Sequence, residues 1–216
     1  MAWDNTAYAT AAEYRTRNGR VSSDLDSTLN EMLLSVSRVV DRRVGVAPAQ
    51  FAPQTTVELT FASTGGRLLR LRDEQGRQHF LRTSTAIAID SERDGTFDGY
   101  TSIVLGTDAW VKGYPRNALS YGEPYQSLEL LPGVASASPG SWPVCDVKIT
   151  GNWGWAAIPG GITDRVIGIT RELVQVHYGG PVVDDVINAA IEASMGARSL
   201  MNLLEQEYRY RLAAFA

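Results

Sequence analysis

The chain has a single cysteine, Cys145, so no internal disulfide can form. A catalytic thiol needs a histidine base, and His79 and His177 are the only histidines. These two have no paired spacing, which argues against a zinc site. Cys145 precedes Asp146-Val147-Lys148-Ile149, which reads as a strand, so a buried structural thiol is expected. Lysine is almost missing: Lys112 and Lys148 are the only two among 20 basic residues, a hint of a GC-rich genome more than of a function. Nor is positive charge in excess. With 24 acidic residues the formal net charge is -4, and the pI is about 5.2. A dedicated nucleic-acid binder usually shows the opposite balance, although DNA can still pass such a protein. No apolar run approaches the roughly 20 residues needed to span a bilayer. Met1-Ala2-Trp3-Asp4-Asn5 lacks the basic and apolar blocks of a signal peptide, so a cytoplasmic origin is expected. There is no Gly-x-Ser-x-Gly and no phosphate-binding glycine loop ending in Lys-Ser/Thr. These absences together point away from an enzyme.

What is present is an ordinary globular composition: 216 residues, 44% hydrophobic and 20% charged, enough for one large domain or two small ones. The spacing predicts a first helix over about residues 4–17, capped by Asp4 or Asn5 and ended by Asn18-Gly19. A second is predicted over about residues 23–43, capped by Ser22 or Ser23. There Leu25, Leu29, Met32, Leu33, Val36 and Val40 form one apolar stripe. Gly45, Pro48 and Pro53 stop it. From about residue 55 to 155 the period changes to two, as in Val57, Leu59 and Phe61 against Glu58 and Thr60. Punctuation at Gly65-Gly66, Gln75-Gly76, Asp94-Gly95 and Pro132-Gly133 suggests an antiparallel sandwich or small barrel. Helical spacing returns after Pro159-Gly160-Gly161 with Ile162, Val166, Ile169, Leu173 and Val176, where Thr163 and Asp164 offer capping chemistry. A final helix runs from Pro181 to about residue 212, with a weak point at Gly196.

The expected fold is therefore α+β: a helical bundle (residues 1–50 and 159–216) interrupted by an inserted antiparallel β-sandwich or barrel-like domain (residues 51–158). Neither helical half is large enough to bury a core alone, so the second helix should pack on the one that follows residue 160.

Four groups of residues stand out. Gly151, Trp153, Gly154, Trp155 and Pro159 place two large rings at a glycine turn between strand and helix. A packing junction is the expected role, and a sugar-stacking platform is the functional rival. Asp90, Glu92 and Asp94 before Gly95 imitate the start of a calcium loop, but the closing acid is missing because Thr101 stands there. They are a weak metal candidate and a better hairpin turn. Arg67, Arg70, Arg72 and Arg77 form the one basic cluster, expected as a solvated face, with contact to an acidic neighbour or to DNA as the rival. The terminal segment carries Tyr208, Arg209, Tyr210, Arg211, Leu212 and Phe215, residue types enriched at protein interfaces.

The run from Val147 to Pro159, followed by an amphipathic helix, resembles the tailed-bacteriophage head-to-tail adaptor (head-tail connector) proteins. Three further pieces are similar in the same order: Tyr8 to Gly45, Ile87-Ala88-Ile89-Asp90 with Asp94-Gly95, and Tyr114-Pro115-Arg116-Asn117-Ala118 with Glu123-Pro124-Tyr125. The resemblance implies a structural virion protein of the neck, assembled in the host cytoplasm, with no cofactor and no catalytic residue. It implies a homo-oligomeric ring, most often a dodecamer, beneath the portal protein. Such a ring extends the channel for passing double-stranded DNA and presents a surface to a stopper or tail-completion protein. In such a ring the interface character of Tyr208, Arg209, Tyr210, Arg211, Leu212 and Phe215 leads to the expectation that they dock on the portal. Two other readings stay open: another completion or minor tail protein, and a carbohydrate- or calcium-binding β module.

Overall fold

The computed structural model of the chain describes residues 6–18, 25–97, 105, 111–131, 141–176 and 184–213. Among these are five α-helices and six strands, divided between two compact units. One unit comprises residues 1–52 and 157–216, the other residues 53–156.

The helical unit holds α1 (Ala11–Asn18), α2 (Asp26–Val44), α3 (Gly160–Val176), α4 (Asp184–Ala193) and α5 (Met195–Ala213). α1 starts seven residues later than its spacing predicts, and the reason is local. Thr10 Oγ1 accepts the Glu13 N–H at 3.2 Å while Glu13 Oε2 accepts the Thr10 N–H at 2.8 Å. That reciprocal pair is a capping box, readable as Thr10-Ala11-Ala12-Glu13. The preceding segment stays irregular and carries Tyr8 into the core, where it is 1% exposed. α2 ends as expected at Gly45, whose φ of 84° suits a residue without a side chain and whose N–H reaches Asp41 O at 3.0 Å. The expected capping serines, Ser22 and Ser23, lie outside the described residues.

α2 and α3 pack against each other, and both also contact α4 and α5. Leu33, Val36 and Val40 of α2 and Ile162, Val166, Ile169 and Leu173 of α3 are fully buried. Each such side chain contributes about 1.5–3 kcal/mol relative to exposure. Thr163 does not cap α3. Its hydroxyl donates to Tyr8 O at 3.1 Å and ties the N-terminal segment to that helix. The last predicted helix is two helices, broken at Ser194 and not at Gly196. Ser194 Oγ accepts the Ala197 N–H at 3.3 Å, so a serine cap starts a new helix there.

The β unit corrects the expected sandwich or barrel. It contains two open three-stranded antiparallel sheets, neither of them closed. The first has the order β1 (Gln54–Gly66), β6 (Trp142–Trp153), β3 (Leu81–Asp90). The second has the order β2 (Leu68–Arg70), β5 (Ser127–Leu130), β4 (Val111–Tyr114). Period two reports which side chains face inward, and here it does: Phe61, Ile87, Ile89, Val147 and Ile149 join Leu69, Val111 and Leu128 in one core. It says nothing of which strand pairs with which. Strands of three or four residues are also too short to wrap a sheet onto itself. The corrected class is α+β with five helices and two small open sheets, and no helix among the described residues is long and apolar enough to cross a membrane.

Gly151 of β6 stands opposite Ser84 of β3, beside an irregularity in their register. A Cβ there would overlap the Thr83 carbonyl oxygen. Gly151→Ala is therefore expected to lower stability by about 2–3 kcal/mol, because backbone and not a flexible side chain must move. A melting temperature equal to that of the natural protein would show that β3 yields freely.

Candidate functional site

Trp153 is 0% exposed, with its indole N–H donating to Val57 O at 3.1 Å. Its ring lies 5.5 Å from Phe61 and 6.2 Å from His79. A ring so covered cannot stack on a sugar, so the platform reading loses its central residue. Gly154 has φ 73° and donates to Phe80 O at 2.7 Å, while Trp155 meets the Phe80 ring edge-on at 6.5 Å. Pro159 O accepts the N–H groups of Ile162 and Thr163 at 2.9 and 3.2 Å, which starts α3. All five residues thus have local structural tasks.

Asp90 ends β3 and is 2% exposed. Its carboxylate accepts the N–H groups of Asp94 at 3.3 Å and Gly95 at 2.7 Å. It holds a bend over residues 91–95, in which Gly95 has φ 89°. Asp94 Oδ1 in turn accepts the Thr96 N–H at 2.7 Å. Two of the three carboxylates therefore already face backbone donors, and Glu92 is exposed. No group of three potential metal ligands exists among the described residues. Titration calorimetry with calcium is expected to show no saturable heat in the micromolar range, and a micromolar Kd would overturn this.

Tyr208 turns inward. It is 6% exposed and meets Phe51 edge-on at 5.1 Å, which removes it from the outward contact expected of it. The physical reason is position on the helix: Ala197, Met201, Leu204 and Tyr208 follow one another at three- and four-residue steps and share the buried face of α5. The side chains of Arg209, Tyr210, Arg211 and Leu212, and the whole of Phe215, lie outside the described residues, as does His177.

The arginine cluster separates into two places. Arg77 pairs with Asp73 at 2.8 Å, and Arg72 bonds Gln78 at 3.4 Å. With Asp73, Glu74 and Asp146 they border a cleft of about 490 Å³ whose charges are of both signs. Arg67 instead joins a residue far along the chain. Arg67 and Arg116 each donate to one oxygen of Glu129, both at 2.9 Å. Only the pairing of β2 and β4 with β5 brings these three together, so sequence spacing could not reveal them.

A second constellation had no sequence signal beyond an aspartate on an apolar helix. Asp41 is 2% exposed within α2. It accepts hydrogen bonds from the Tyr8 hydroxyl, from Arg38, and from the Ala49 N–H at 3.0 Å. Arg38 also donates to Thr6 O, and Tyr8 N–H donates to Ser37 Oγ at 3.0 Å. Burial pushes the Asp41 carboxyl up from 3.8 to about 7, against the lowering pull of Arg38, Tyr8 and the Ala49 N–H. Burial, with Asp41 beside it, likewise raises the Tyr8 hydroxyl. Elsewhere burial depresses His79 against the pull of Asp73, and Cys145 is fully buried with its pKa raised.

No protein-family model matches the chain, and no curated protein is significantly similar to it.

Proposed function

We propose that the chain is a structural virion protein, a head-to-tail adaptor that forms a ring beneath the portal, extends the DNA channel and docks the next connector ring. The observation that carries this reading is the discontinuous helical unit. Residues before Pro53 and after Ala156 fold together as one unit, with a separate β unit between them. That is the order in which the four family-like segments occur along the chain. The work is done by complementary surfaces, without covalent chemistry. A net charge of -4 suits a channel wall along which phosphate slides without sticking. Partners in this reading are the portal, a stopper or tail-completion protein, further copies of the chain, and passing duplex DNA without sequence preference.

Native mass spectrometry of the purified chain, alone and with the portal of the same phage, tests the proposal. The expected result is a closed ring at a fixed multiple of the 23.5 kDa chain that binds the portal. A strict monomer that ignores the portal would refute it.

A further inference from the structure

We infer that the outer face of the β2-β5-β4 sheet is a docking surface for a second copy of this chain, and that its occupant is the acidic bend at the end of β3. The inference rests on the ring reading only for closure of the assembly.

The face follows from strand alternation. Leu69, Leu128 and Val111 point inward at 1%, 0% and 0% exposure. Their neighbours Leu68, Arg70, Lys112 and Glu129 therefore lie on the opposite side. Glu129 stands in register with Leu68 on one strand and Lys112 on the other. Arg67 and Arg116 reach over the same carboxylate, and their side chains remain 57% and 56% exposed while that of Glu129 is 14% exposed. Arg67 and Arg116 thus cover the Glu129 carboxylate, Lys112 stands beside it in register, and Arg70 lies on the same side of β2. What reaches solvent is positive charge around Leu68, itself 45% exposed. An apolar centre with a charged rim is the anatomy of a modest protein interface.

The occupant is on the same unit. Asp90 fixes the bend by bonding Asp94 N–H and Gly95 N–H, so the bend is pre-organised. Arg93 is turned back towards the unit, 3.6 Å from Asp146 and 3.2 Å from Ser63 O. That leaves two exposed acids at the tip, Glu92 and Asp94, the latter holding the Thr96 N–H through one oxygen. Basic face and acidic bend belong to different sheets, so their contact is heterologous and repeats head to tail. Such contacts make rings when the rotation closes and open chains when it does not. Duplex DNA is the rival occupant, but four cations on a chain of net charge -4 fall short of the basic stripe that binders show.

Charge reversal tests this by sedimentation velocity at low and high salt. R67E/R70E/R116E makes the face acidic, and E92R/D94R makes the bend basic. Each variant alone is expected to self-associate at least about tenfold more weakly than the natural chain, because like charges then meet. Mixed in equal amounts they should associate again, since the acidic face of one receives the basic bend of the other, and the unaltered face and bend also match. Recovery in the mixture also shows that both variants fold, and R70E, which leaves both Glu129 bridges intact, should give a smaller loss. A natural chain that never self-associates, reversals without effect, or a mixture that stays dissociated would each overturn the inference. So would R67E/R70E/R116E losing duplex-DNA anisotropy while still self-associating. Rings that persist through both reversals sink the docking mode and leave the adaptor reading standing. Open chains restored by mixing, but blind to the portal, do the reverse.

Discussion

Asp41→Ala is expected to destabilise the protein by about 2–4 kcal/mol near pH 6, where the carboxyl, its pKa raised to about 7, is largely protonated and the loss is that of buried hydrogen-bond partners left unsatisfied. Three groups lose a partner together. Arg38, whose side chain is only 10% exposed, loses its bond to the Asp41 carboxyl. The Tyr8 hydroxyl and the Ala49 N–H lose the Asp41 carboxyl as acceptor, and the anchor between Thr6–Tyr8 and α2 is weakened. Thermal unfolding followed by circular dichroism measures the loss. A variant that melts within a degree or two of the natural protein would show that the network is decoration.

The same residue sets a pH dependence with a definite sign. Asp41 takes up its proton near pH 7 in the folded chain and near 3.8 in the unfolded one. The folded state therefore binds more protons between those values. The stability contributed by this group is complete below pH 3.8 and is lost as pH rises through about 7. The gap in unfolding free energy between the natural protein and Asp41→Ala should accordingly narrow from pH 4 to pH 8, by at most about 1.4 kcal/mol per pH unit. His79, depressed by burial, titrates alike in both proteins and cancels from the difference. A gap that widens with pH would mean that Arg38, not desolvation, governs Asp41.

Truncation of the last helix should separate folding from partner binding. Ending the chain after residue 204 removes Tyr208, whose ring rests on Phe51 in the helical core. That is expected to cost about 3–5 kcal/mol, as for other buried aromatic side chains. It also removes Glu205, which lies 3.7 Å from Arg43. Ending it after Tyr208 keeps both, and the shortened protein should melt close to the full chain. In the proposed function it should nevertheless fail to join portals, because Arg209, Tyr210, Arg211, Leu212 and Phe215 are gone. Should the chain ending at Tyr208 complete virions at normal yield, those residues have no docking role. Should it unfold, they belong to the subunit's own core.

The amino-acid order determined whatever depends on neighbours a few residues away. The stripes of α2 and α3, the inward set of the long strands and the stop at Gly45 are all of this kind, because helix and strand periods are local geometry. Thr10 with Glu13 and the cap at Ser194 were equally local, and they moved two helix boundaries that apolar spacing alone misplaced. Tertiary structure decided what depends on pairing across the chain. Period two is the same for a closed barrel and for two open sheets, so strand order came only from which edges met. Tyr208 carries the residue type of an interface anchor, yet the rotation of α5 faces it inward onto Phe51. Asp41 reads as one more surface acid until Tyr8, 33 positions away in sequence, and the turn at Ala49 close around it. Arg67, Arg116 and Glu129 become one site only through the register of β5 with both of its neighbours. A carboxylate's surroundings, not its identity, set its charge and its use, and those surroundings are made by the fold.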